Sequence, residues 1–182
     1  TLMWSLVRKE QIMKRKTISL TAIIAAVFAI TLFIPEVTSF TNGLNPGSTG
    51  SPGDNNLTCV QCHASNNNFK PDLISSNDLA NGYQLATGYT VYAMVKEVGK
   101  SKFGFQTTCE DVNGNKQGTP VSTGASVQVV GSFYATHTAA GTAHTDSAQW
   151  SYTWTSPSTN RGILTFYGAF IAANSNNQNT GD

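Results

Sequence analysis

The chain has 182 residues and a formal net charge of +1, and only 12% of its residues are charged. One domain of ordinary size fits that length, and the near-neutral charge leaves no basic field for nucleic acid and no acidic tail. Asn, Thr, Ser and Gly are plentiful while Lys and Glu are few, a composition that favours strands and turns over helices.

In chain order, Met13-Lys14-Arg15-Lys16 is followed by an apolar run from Ile18 to Ile34, then Pro35 and the small residue Ser39. A basic segment, an apolar segment and a small residue form the layout of a secretory signal peptide. Residues 1–39 are therefore expected to be an export segment cleaved after Ser39, with translation starting at Met13. An uncleaved membrane anchor is the alternative, since about 20 apolar residues span a bilayer. Either way the remainder is expected to be secreted or at the cell surface, touching membrane only through that segment.

Residues 40–56 carry successive turn signals, Asn42-Gly43, Asn45-Pro46-Gly47 and Ser51-Pro52-Gly53-Asp54, with almost no apolar residue. They read as a linker that forms no packed element. The linker leads into an arm, residues 57–87, that holds Cys59-Val60-Gln61-Cys62-His63. C-x-x-C-H is the attachment motif of c-type haem: the two thiols add to the vinyl groups and the adjacent imidazole ligates the iron. The expected cofactor is covalent haem c on Cys59 and Cys62, with His63 as proximal ligand. Zinc sites and plain disulfides use similar spacings, and in an exported chain a bond between Cys59 and Cys62, or from one of them to Cys109, is the competing reading.

Three side chains could supply the second axial ligand. His137 ends a strand-like run and has a loop of Ala, Gly and Thr behind it, and is the first choice. His144 lies within that loop. Met94 sits in a strand-like run, where a single Met commonly fills a core.

Residues Ile74 to Leu85 read as one short irregular turn or helix, and from residue 88 to residue 182 the pattern is that of a β-domain. Tyr89, Val91, Ala93 and Val95 alternate with Thr90, Tyr92, Met94 and Lys96, the period of a half-buried strand. Phe103 to Glu110 repeats it, and Asn113-Gly114 supplies a hairpin turn. Val127 to Ala135 reads as one strand, and His137 to Gln149 as a loop. Trp150, Tyr152 and Trp154 put three aromatics on one face of the next strand. Ile163 to Ala172, apolar on both faces, reads as a central strand. Short strands separated by turn clusters predict an all-β antiparallel sandwich with Val91, Phe105, Trp154 and Phe166 buried.

The order Phe103-Gly104-Phe105-Gln106, Tyr134-Ala135-Thr136-His137-Thr138, Trp150 through Pro157, Leu164 through Gly168 and Ala172-Ala173-Asn174 resembles a Reeler-type domain. With Cys59 to His63 ahead of it, the arrangement is similar to a bacterial surface module, the choice-of-anchor V domain, over roughly Gly53 to the end. That resemblance implies an immunoglobulin-like sandwich exported to the cell surface, with further sequence and an anchoring tail beyond Asp182.

No Gly-rich phosphate loop, paired carboxylates or local Ser-His-Asp signature is present, so no enzyme is expected. The sequence is read as an exported monohaem c-type protein for electron transfer at the cell surface, its redox partner unspecified. The alternative is a non-catalytic adhesion or matrix sandwich with its cysteines in a disulfide.

Overall fold

A computed structural model of the compact unit Ser39–Asp182 describes residues 40–63, 70–75, 79, 81–176 and 182. The export segment expected over residues 1–39 lies outside the described residues. Among the described residues eight strands form: β1 Lys70–Ser75, β2 Gly88–Lys96, β3 Lys102–Asp111, β4 Thr119–Ser122, β5 Val127–Val130, β6 Tyr134–His137, β7 Ser147–Thr155 and β8 Leu164–Ala173. They make two antiparallel four-stranded sheets, ordered β1-β2-β7-β4 and β5-β6-β3-β8. The expected all-β antiparallel sandwich is the fold.

Strand alternation builds the core. Tyr89, Val91, Ala93 and Val95 of β2 and Ala148, Trp150, Tyr152 and Trp154 of β7 are all buried on one face, and Val91 lies opposite Tyr152 across the pair. From the other sheet Phe105 meets Trp150 at 4.6 Å between ring centroids, and Phe166 meets Trp154 edge-on at 4.9 Å. The polar tips find partners, as buried ones must: Trp150 Nε1 donates to the Gly141 carbonyl at 2.8 Å, and Thr107 Oγ1 donates to the Tyr152 hydroxyl at 3.0 Å. Of the four side chains expected in the core, Val91, Phe105 and Trp154 are buried, and Phe166 is half-buried against them.

Several local expectations are corrected. Val127 to Ala135 is not one strand but a hairpin, β5 to β6, because Gly131 and Ser132 take positive φ values of 56° and 67° and reverse the chain. Asn113-Gly114 does turn the chain, with Gly114 N–H donating to the Asp111 carbonyl at 3.0 Å. The strand that follows, β4, nonetheless pairs with β7 in the opposite sheet. Ile74 and Ser75 end strand β1, paired with Tyr92 and Val91, where a turn or helix was expected. β8 is an edge strand, bonded to β3 alone in its sheet, although both its faces are apolar.

β3 is buried from Phe103 to Glu110 without a break. Its inward row is Phe103, Phe105, Thr107 and Cys109. Its outward row, Gly104, Gln106, Thr108 and Glu110, would face solvent in a bare sandwich, yet Gln106 is 1% exposed and Glu110 0%. What covers it is the segment expected to be a linker.

Candidate functional site

Residues 40–54 run along the outward face of β3, held by polar bonds at successive levels. Gln106 Nε2 donates to the carbonyls of Leu44 and Asn45 at 3.1 and 3.0 Å, and Gln106 Oε1 accepts from Ser48 N–H at 2.8 Å. Further along, Gly53 N–H donates to Glu110 Oε2 at 3.1 Å, an approach that a side chain on Gly53 would block. Lys116 binds Asp54 at 2.6 Å and Glu110, and Tyr134 Oη donates to Asp54 at 2.7 Å. Burial alone would raise the Asp54 carboxyl; hydrogen bonds from Lys116, Thr49 and Tyr134 outweigh it and hold Asp54 below its ordinary value. Burial likewise opposes the Lys116 charge, and its two carboxylate partners raise it instead. Thr49, Ser51 and Asp54 are buried, so residues 40–56 form a packed layer after all. Their lack of apolar side chains suits the polar row beneath them, a match invisible in either segment alone.

The layer ends in the cysteine motif. Gly50 N–H bonds the Leu57 carbonyl at 2.7 Å, and Thr58 then caps a helical turn, its Oγ1 accepting from Val60 N–H at 3.4 Å. Both Cys62 and His63 N–H groups bond to the Cys59 carbonyl, at 3.2 and 3.1 Å. In a helical turn, positions three and four apart share a face, so Cys59, Cys62 and His63 are brought to one side. The turn lies against β8.

His63 Nδ1 is 2.8 Å from Asp182 Oδ2. The Asp182 side chain is 1% exposed, and its Oδ1 accepts from Asn174 N–H at 3.0 Å, just past β8. With the proton held on Nδ1 by the carboxylate, the lone pair of Nε2 is the one presented. This is the arrangement of a histidine oriented to bind a metal through Nε2, and the donor set fits the proximal side of a haem: two thiols and one imidazole on one face. Asp182 carries no signal in the sequence; it is 119 residues from His63.

All three cysteines have free thiols. Burial pushes the Cys59 thiol up to about 11, while Cys62 is exposed. Cys109 is in the core on the inward face of β3, 2% exposed, and burial followed by the neighbouring Glu110 raises its thiol to about 12. It is a core side chain. No group of three or more His, Cys, Asp or Glu side chains among the described residues is placed to hold a metal ion, whereas structural zinc takes four such ligands.

The three distal candidates are each engaged by groups of the sandwich. His137 is buried at the end of β6, its Nδ1 3.1 Å from Phe105 N and 3.2 Å from Phe105 O, its Nε2 3.3 Å from the Phe40 carbonyl. Its ring passes over Gly104, where a Cβ would come 2.7 Å from Cε1. Burial holds the imidazole below its ordinary value, so the neutral ring accepts from Phe105 N–H and donates to Phe40. His144 is packed edge-on to Phe103 and Trp150, with Nε2 3.1 Å from the Gly141 carbonyl. Met94 lies on the outward, half-exposed row of β2, opposite Gln149 and Asp72.

No family model matches the chain, and no curated protein matches it. Among solved structures it is similar to the Reelin-N domain of F-spondin. The likeness has a TM-score of 0.42 and 16% identity, over 63% of this chain and 82% of that one.

Proposed function

We propose that this chain is a non-catalytic, exported β-sandwich module that carries one covalent haem c on its docked arm and passes single electrons through it. The observation that supports this best is His63, held through Nδ1 by buried Asp182 so that Nε2 is the nitrogen presented, in the same turn as Cys59 and Cys62. When bound, the group supplies one-electron exchange at iron. Asp182 fixes the imidazole tautomer, the Thr58-capped turn sets the spacing of the thiols, and the Asp54–Lys116–Glu110 cluster holds the segment before it to the sheet.

A second reading is a surface spacer or adhesion module without haem. It is favoured by the structural use of His137 and His144, both of which are tied to backbone groups. One measurement separates the two: the visible spectrum, and the mass after denaturation, of protein exported from a host with a c-type maturation system. A Soret band that stays with the polypeptide, with the added mass of one haem, is expected. Unmodified polypeptide mass overturns the haem reading and leaves the spacer.

A further inference from the structure

β8 is an edge strand with two apolar faces, and the core accounts for only one. Opposite residues of an antiparallel pair share a face. Phe103, Phe105 and Cys109 point into the core, so their partners Ala172, Phe170 and Phe166 do also. Gly104, Gln106 and Thr108 look outward, and so therefore do Ile171, Ala169 and Tyr167, with Ala173 next in the row. On β3 that outward row is polar and bonded to residues 44–53. On β8 it is apolar; Ala169 is buried, and Tyr167, Ile171 and Ala173 are only half-buried.

The Cys59–Gln61 turn lies beside this strand, and Asp182 ties His63 to Asn174 at the strand's end. From these positions we infer that the outward row of β8, Tyr167, Ala169, Ile171 and Ala173, is the seat on which a porphyrin tethered at Cys59 and Cys62 rests. The inference depends on the haem reading and adds to it the surface that screens the ring. Alternate side chains on a strand stand about 6.8 Å apart, so Tyr167 and Ile171 stand as the ends of a shelf about 14 Å long, with small, already buried Ala169 between them. A flat apolar disc fits such a shelf and removes it from water. The turn that carries the thiols and this strand are already adjacent.

The test uses the whole exported protein and begins by confirming covalent haem by mass. Hydrogen exchange is then compared between the loaded protein and a Cys59→Ser, Cys62→Ser double variant. Amides of residues 167–173 are expected to exchange at least tenfold more slowly in the loaded protein. Ile171→Lys is expected to retain haem by mass and lose that slowing, and Tyr167→Ser is expected to do the same if the lysine variant fails to fold. Attached haem with unchanged exchange over residues 167–173, or slowing that persists in these variants, overturns the seat but not the haem reading. Slowing that rises with protein concentration also overturns it, because a second copy of the chain is then the cover. Absence of covalent haem overturns both.

Discussion

On the proposed haem reading, Asp182 does more than accept a hydrogen bond: a carboxylate on the far nitrogen of a ligating histidine makes the ring a stronger donor to iron and fixes its plane. Asp182→Asn keeps a hydrogen-bond acceptor but removes the charge. We expect covalent haem to persist by mass and the reduction potential to rise, because the less basic imidazole stabilises the oxidised iron less. An unchanged potential by redox titration would show that the pair is only structural. Gly104 makes a different demand. Its missing side chain is where the His137 ring lies, so Gly104→Ala should cost about 1–3 kcal/mol by overpacking, measured by denaturant unfolding. At this scale the sequence is legible wherever chemistry is contiguous. Cys59, Cys62 and His63 stand together in the chain and together in space. The Asp182 carboxylate is brought to His63 by the fold alone, and His137, singled out for its neighbours in sequence, is engaged by Phe40 and Phe105 from elsewhere.

The linker ahead of the arm is the element that sequence reading misjudged. Turn-rich residues 40–56 looked unable to pack because packing was sought in apolar side chains; the bonds that hold them are polar, and each has its partner on β3 or beside it. The Lys116 ammonium is central, since Asp54 and Glu110 are buried around it. Lys116→Met leaves two buried carboxylates without their cation and should destabilise the protein by about 3–5 kcal/mol, measured by the denaturant midpoint. The same cluster sets a pH window. Asp54 is held below its ordinary 3.8, so the stability it contributes is present above that value and is lost as pH falls through the lower folded value. Lys116 is held above 10.5, so its contribution is complete below 10.5 and is lost as pH rises through the raised value. Docking of the arm should be level between these limits and fail beyond either. Limited proteolysis at residues 40–63 across pH would reveal this, and susceptibility that rises steadily across the neutral range would contradict it. β8 was misplaced for a related reason: apolar residues on both faces suggest a central strand, but its second face is turned toward the arm rather than a neighbouring sheet.

Across the whole molecule the core was the most legible part, because strand periodicity is local. Trp150, Tyr152 and Trp154 declared one face in the sequence, and that face is the centre of the sandwich. Trp150→Ala should cost about 3–5 kcal/mol and shift the unfolding midpoint accordingly. Which sheet each strand joins was not legible: β3 and β4 are successive in sequence but sit in different sheets, a choice set by long-range pairing.

The half-buried setting of Cys59 carries a consequence for how a haem-bearing form of the protein would be made. Thioether formation needs an accessible thiol, and in the folded chain the thiol at Cys59 is desolvated and resists ionisation. The arm is also synthesised before any of the strands on which it docks. On the haem reading proposed above, maturation then has a natural order, in which the cysteines are modified on the emerging chain and the sandwich forms afterwards. A chain that folds first would present the Cys59 thiol only partly exposed and reluctant to ionise.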